Sequence, residues 1–286
     1  MKLQSKKLLS FVVSLSLVLG LLLAPITSTA YAADETVTIT VLGTSDVHGA
    51  LNSWSYEGNT DYGNVGLERI HSLVKQVKSE NPNTLLIDNG DTIQGSILTD
   101  DLYNTDLEKP NPMMDVMNAV GYDAMTLGNH EFNFGTELID KIVEEANFPI
   151  LSANIYKKAD GTNFVKPYVI KEVAGVKVGI IGLTVPSIPR WDGPRVKDLE
   201  FKHMAEEAKK YVEIVKQEGA DIIIASAHAG LESRHEEDGS DSARKIAEYA
   251  PEITALLIGH DHSTVNETIN GFSLVHQQLS MVKQMK

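Results

Sequence analysis

Short apolar runs in this sequence end repeatedly in Asp, Asn or His: Asp46 and His48, Asp91, Asn129 and His130, His228, then His260 and His262. Each fragment alone has a plain structural explanation. Asp46-Val47-His48 reads as a turn in which Asp caps a backbone amide, and Gly90-Asp91 is a common turn pair. Gly128-Asn129-His130 reads as a helix approach with Asn as the cap. A lone histidine after a strand, such as His228, is more often a hydrogen-bonded core residue than a ligand. Gly259-His260-Asp261-His262 carries more information: its two imidazoles at i and i+2 are expected on opposite sides of an extended segment, which suits two neighbouring metals better than one.

Together the fragments are harder to dismiss. Burying that many Asp and His side chains without partners costs several kcal/mol per charged group. Two divalent cations would neutralise the carboxylates and satisfy the imidazole nitrogens. The chain has no cysteine, which removes disulfides, zinc fingers and thiol nucleophiles, so any metal is held by His, Asp, Glu or Asn. Mixed nitrogen and oxygen donors suit Zn, Mn or Fe, with Co and Ni as substitutes in vitro. A net charge of −14 argues against a nucleic-acid polymer as partner. It leaves small anionic substrates open, since bound cations dominate a site's local field.

The elements that must position these residues alternate between buried strands and amphipathic helices. Strands are predicted at 36–43, 84–87, 124–127, 149–153, 165–171, 176–183, 221–227 and 255–258. Helices are predicted at 65–79, 113–120, 136–146 (Thr136 as N-cap), 201–218 and 242–249. The pattern is that of one α/β domain. In open α/β sheets the carboxyl ends of strands converge on one crevice, so ligand-type residues scattered in sequence are expected to gather in space.

The first residues form a separate segment. Lys2, Lys6 and Lys7 precede an apolar run over 8–24, then Pro25 and an A-x-A signature at Ala30-Tyr31-Ala32. This is the layout of a secretory signal peptide covering 1–32, cleaved before Ala33, which predicts an extracytoplasmic protein with no membrane span after cleavage. The competing reading is an uncleaved anchor.

The ordered series D-x-H (Asp46, His48), G-D (Asp91), G-N-H-E (Gly128 to Glu131), His228 and G-H-x-H (His260, His262) resembles the calcineurin-like metallophosphoesterase superfamily. Within it, the stretch Asp88-Asn89-Gly90-Asp91-Thr92-Ile93-Gln94-Gly95-Ser96 and Asn129-His130-Glu131-Phe132 are similar to the 5′-nucleotidase family. The resemblance implies a four-layer α/β/β/α sandwich with two mixed sheets and a metal pair at the strand ends. It implies that Asp46, His48, Asp91 and His262 hold one ion, that Asp91 bridges, and that Asn129, His228 and His260 complete the second. It further implies a small-molecule nucleotide as substrate, in-line attack by an activated water, and His130 acting on the phosphoryl group or the leaving oxygen.

Two departures refine this. Many 5′-nucleotidases carry Asp three residues after that histidine, where this chain has Asn133, which can orient the ring but cannot offset an imidazolium charge. The string from His130 to Gly135, and Ile188-Pro189-Arg190-Trp191-Asp192, instead resemble the branch acting as 2′,3′-cyclic-nucleotide 2′-phosphodiesterase and 3′-nucleotidase. The second departure is the end at Lys286, soon after the last metal motif, where the family usually adds a C-terminal nucleoside-binding domain. The expectation is a phosphoesterase domain over 33–286, C-terminally truncated, with 272–275 as a closing strand and no role for 279–286. The alternatives are a 5′-nucleotidase or UDP-sugar hydrolase, and a non-catalytic nucleotide- or metal-binding fragment. His71 and His203 are read as solvated or capping, His235 as part of a solvated loop, and Trp54, Tyr56 and Tyr62 as either base-stacking or packing their own loop.

Overall fold

The computed structural model describes residues 36–269 apart from 56, 57, 62 and 64, together with the backbone of 272–276 and 281–285. The signal segment 1–32, Tyr56, Tyr62 and the His276 side chain therefore lie outside the described residues. Among the described residues no helix is long and apolar enough to cross a membrane. Val37–Lys286 forms one compact unit.

In chain order the main strands are β1 (Ile39–Thr44), β2 (Thr84–Asp88), β3 (Ala124–Thr126), β4 (Ile150–Leu151), β5 (Tyr168–Val173) and β6 (Val176–Thr184). They continue as β7 (Ile222–His228), β8 (Ala255–Ile258), β9 (Val265–Ile269), β10 (Phe272–His276) and β11 (Met281–Met285). One five-stranded sheet has the order β11-β1-β2-β3-β4, parallel except where β11 runs against β1. The other, six-stranded, has the order β9-β10-β8-β7-β6-β5, with antiparallel edges at β9 and β5.

Strand alternation sorts the apolar residues into three layers. Ile39 and Val41 of β1, Leu85 and Ile87 of β2, Val178 and Ile180 of β6, Ile224 and Leu257 pack between the two sheets. Leu42 and Leu86, one step out of phase, face outward onto helices Leu67–Glu80, Pro112–Val120 and Thr136–Glu145 through Leu67, Val74, Met113, Met117, Leu138 and Ile142. On the far side Ile181, Leu183, Ile223, Ala225 and Leu256 meet helices Met204–Gln217 and Ala243–Tyr249. The result is the α/β/β/α sandwich. Each fully buried aliphatic side chain contributes roughly 1.5–3 kcal/mol. Gly182 is what lets the sheets approach, since a Cβ there would lie 2.5 Å from Leu151.

Three expectations are corrected. The N-cap of helix Thr136–Glu145 is Gly135 at φ 92°, a backbone conformation that favours glycine, so Thr136 is the first helical residue instead. The helix expected from 201 begins at Met204, because Phe201 belongs to a short ribbon between Leu199–Phe201 and Ile155–Lys157 and His203 caps the helix. The segment given no role is β11, whose backbone pairs with β1 from Ile39↔Met285 to Gly43↔Met281.

Candidate dinuclear metal centre

The strand ends meet as their sequence positions suggest. The turn after β1 zips onto the turn after β2: Asp46 N–H donates to Gly90 O at 2.9 Å, His48 N–H to Asp91 O at 2.9 Å and Gly49 N–H to Thr92 O at 2.8 Å. Asn89 ties this edge to the second sheet, donating to Ala227 O at 3.1 Å and accepting from Ser226 Oγ at 2.7 Å. The Asp46 carboxylate accepts the His260 N–H at 3.2 Å, bringing in the loop after β8. Glycines make these approaches sterically feasible. A Cβ on Gly128 would sit 2.3 Å from Asp91 Oδ1, and one on Gly259 2.2 Å from Ser45 Oγ.

Two donor groups result: Asp46, His48 and His262, and Asp91, His228 and His260, each with ligand atoms within 4.8 Å of one another. Asn129 Oδ1 joins the second group, 3.2 Å from His228 Nε2. His260 and His262 thus serve different groups. The extended geometry expected to separate them is corrected, since a regular strand would send i and i+2 to the same face; both residues instead have positive φ, 75° and 49°, outside strand geometry. Asp46, His48 and Asp91 share this left-handed backbone, at φ 52°, 49° and 55°. Such conformations cost about 1–3 kcal/mol each and persist where the surroundings impose them, as at binding sites.

The donor set fits cations. His228 Nδ1 lies 2.7 Å from Asn89 O, so its hydrogen is on that nitrogen, and Nε2 faces Asp91 Oδ2 at 3.1 Å and Asn129 Oδ1 at 3.2 Å. In the neutral ring that arrangement sets three lone pairs against one another, and only a proton or a metal ion relieves it. The first group repeats the theme. His48 Nδ1 is 3.2 Å from Gln94 O, while its Nε2 meets His262 Nε2 at 3.2 Å, itself 3.2 Å from Asp46 Oδ1. Without a cation, charge settles on His228. Burial favours its neutral form, but Asp91 and then Asp46 outweigh this and raise it to about 10. Asp91 is also buried, yet His228 and His130 hold it well below the usual carboxylate range. Burial and the charge on His228 push His260 down to about 4, leaving it neutral and able to donate a lone pair.

His130 stands beside these groups. Its backbone N–H donates to Asp91 Oδ1 at 2.8 Å, its Nε2 is 4.0 Å from Asp91 Oδ2, and its ring lies edge-on to His48 at 5.2 Å. Nδ1 meets Asn133 Oδ1 at 2.7 Å.

Sequence reasoning missed several supports. Fully buried Glu131 accepts four backbone N–H groups, from Asp91 at 2.9 Å, Thr92 at 2.7 Å, Ile93 at 3.2 Å and Gly128 at 2.7 Å. It clamps the Asp91 turn to the Asn129 turn, and its place in the G-N-H-E string was the signal. His235 is no ordinary solvated residue: its ring packs edge-on against Trp191 at 5.1 Å and lies 6.3 Å from that of His260. His203 does cap, accepting the Ala205 N–H at 3.2 Å. Exposed Trp54 lines a cavity of about 160 Å³ with His48, Leu51 and Ile97.

The model of the calcineurin-like phosphoesterase family matches residues 39–264. The trifunctional nucleotide phosphoesterase protein YfkN of Bacillus subtilis is 37% identical over 250 residues, covering 81% of this chain and 17% of that protein. A crystal structure of YfkN superposes with a TM-score of 0.77 at 34% identity, covering 84% of this chain and 80% of that one. The 2′,3′-cyclic-nucleotide 2′-phosphodiesterase/3′-nucleotidase of Haemophilus influenzae is 34% identical over 79% of this chain and 36% of its own. A 5′-nucleotidase of Vibrio cholerae is likewise 34% identical, over 82% of this chain and 42% of its own. The chain thus spans less than half the length of these curated relatives. With the motif order and the matched span agreeing, the chain belongs to the calcineurin-like phosphoesterase family.

Proposed function

We propose that residues 33–286 are the phosphoesterase domain of an exported enzyme that hydrolyses nucleotides with two divalent metal ions. One observation carries the reading: two sets of converging lone-pair donors at the ends of strands from both sheets. On it, Asp46, His48 and His262 hold one ion, Asn129, His228 and His260 hold the other, and Asp91 is shared. Bound there, the ions supply Lewis-acid polarisation of the phosphoryl oxygens and a water activated near neutral pH. The chain's own residues do the rest. His130 presents Nε2 from a side chain that is 37% exposed; with its Nδ1 hydrogen held by Asn133, the neutral ring accepts at Nε2, and as the imidazolium it offers a hydrogen bond or proton to the phosphoryl or leaving oxygen. Asn133 accepts at Nδ1 and holds the ring. Trp54 and Ile97 offer an apolar wall for an aromatic base next to His48.

Asn133 and the Ile188–Asp192 segment favour 2′,3′-cyclic and 3′-nucleotides, in line with the Haemophilus relative's name. The Vibrio relative at equal identity favours the alternative of a 5′-nucleotidase.

The test is phosphate release by purified 33–286 loaded with Mn²⁺ or Zn²⁺, with an Asp91→Ala control. The substrates are 2′,3′-cyclic AMP with an added monoesterase, 3′-AMP, 5′-AMP and an aryl phosphate. Turnover of the first two supports both chemistry and branch; preference for 5′-AMP overturns the branch. Silence on all four refutes the enzyme. Export is checked by N-terminal sequencing of envelope or medium protein, expected to begin at Ala33; a chain beginning at Met1 overturns cleavage.

A further inference from the structure

The Asp91 carboxylate stands on the Nε2 side of His130, but Asn133 leaves the Nδ1 side without one, and there a carboxylate stands one link further out. Asn133 Nδ2 donates to Asp192 Oδ2 at 2.8 Å, and Asp192 Oδ1 accepts Arg195 Nη1 at 2.9 Å. Asp192 is 3% exposed and closes the short helix Ile188–Asp192, which follows β6. The chain of contacts runs from His130 Nδ1 through the Asn133 amide to Asp192 and ends on Arg195.

The chemistry of each link fixes the next. An ionised carboxylate only accepts, so the Asn133 amide must turn its NH₂ to Asp192. Its carbonyl then faces His130, and that carbonyl also only accepts, so the hydrogen of the neutral imidazole lies on Nδ1. Nε2, on the side of Asp91, is thereby defined as the nitrogen that exchanges a proton or hydrogen bond with a ligand. Without Asp192 nothing in this chain of contacts would stop the amide from flipping, which would point NH₂ at the ring and select the opposite tautomer.

We propose that Asp192 is a positioning residue: it orients the Asn133 amide and through it sets the tautomer and direction of His130. The three residues form a His–Asn–Asp relay in which the carboxylate has moved to the third place. The inference rests on the phosphoesterase reading only for its effect on rate. It also carries a consequence for Asn133. Placing Asp there sets two carboxylates against each other at a 2.8 Å contact, and neighbouring like charges disfavour ionisation. Exchanging the pair, with Asp at 133 and Asn at 192, restores a donor facing an acceptor at every link.

The experiment compares the Mn²⁺-loaded chain with Asn133→Asp, Asp192→Ala, Asp192→Asn and the Asn133→Asp/Asp192→Asn double variant. Their kcat and KM are measured on 2′,3′-cyclic AMP and an aryl phosphate. The second readout is the ¹⁵N–¹H correlation pattern of the His130 ring at a pH where the ring is neutral, with metal content and thermal midpoint recorded for each protein. Asn133→Asp and Asp192→Ala are expected to lose about 10- to 100-fold in kcat with KM nearly unchanged. Asp192→Asn, which can still accept, is expected to lose less. The double variant should return to within about threefold of the parent, the non-additivity that marks a coupled pair. The ring of the parent should be the Nδ1–H form, and Asp192→Ala should mix the tautomers. An Asp192→Ala protein with parental kcat and tautomer overturns the proposal while leaving the phosphoesterase reading intact. So does a double variant whose losses simply add. A parent inactive on every ester but showing the Asp192-dependent tautomer refutes the reading and keeps the positioning role.

Discussion

The two ligand groups of this site are built from the same residue types but differ in how firmly the fold holds them. Asp91, His228 and Asn129 are buried, and His228 has its Nδ1 fixed by Asn89 O, while Glu131 gathers the amides of both turns beneath Asp91. In the other group the Asp46 side chain is fully enclosed but that of His262 is 46% exposed, on a loop leading only to the edge strand β9. A buried set of converging lone pairs is expensive to leave without a cation, whereas water can satisfy an exposed imidazole. The comparison predicts a tight, preorganised site beside a looser one that closes as the ion binds.

The largest effect should come from the residue assigned to both. Asp91→Ala is expected to reduce kcat by about 10³-fold or more, because it removes the carboxylate proposed to serve both ions. Retention of two ions per chain in that variant, read by elemental analysis, would break the ligand assignment. Next comes the clamp. Glu131→Gln brings an NH₂ among four N–H donors and should cost about 3 kcal/mol or more of unfolding free energy, measured by urea titration. A cost like that of a surface substitution would mean the Asp91 turn holds itself.

The contrast between groups is sharpened by a pair of variants. His228→Ala should lose the tightly held ion, while His262→Ala should lower affinity for the other by roughly 10- to 100-fold and leave the first in place. Equal losses in both would remove the distinction. A smaller effect concerns protons in the metal-free chain. His228 is raised to about 10 from an unfolded value near 6.5. Its contribution to stability is therefore fully present below about 6.5 and lost as pH rises through about 10. The metal-free midpoint should fall across that window, metal should offset the fall, and binding should release a proton, detectable by calorimetry in buffers of different ionisation enthalpy. A flat metal-free profile would mean that Asp91 and His228 do not share a proton.

Legibility varied with how local the cause was. β8 is found where the sequence places it, at Ala255–Ile258, because a short apolar run between Thr254 and Gly259 has few alternatives. Helix Ile97–Leu102 was missed, since its Ser96/Thr99 capping box precedes only six residues with two aspartates among them. β11 had no periodic signal of its own; its role comes from the open edge of β1. At the site, every ligand candidate but His228 stood in a recognisable string, and His228 was marked only by its place at the end of a strand. Glu131 stood in one too, but its four acceptances join the β2 turn to the β3 turn across about forty residues. Asp192 was visible only as part of a resemblance, because its partner Asn133 lies 59 residues away.

The sequence by itself determined the inventory: which residues can bind a cation, that no thiol competes, and that short strands ending in Asp, Asn and His deliver them to one edge. Tertiary structure decided the partition. Residues two apart in a strand share a face, so nothing in the spacing of His260 and His262 assigns them to different groups; their positive φ angles do. It also decided where the carboxylate on the Nδ1 side of His130 resides, on Asp192 behind the Asn133 amide. A hydrogen bond depends on distance and direction between atoms, and chain order specifies neither until the sheets have packed.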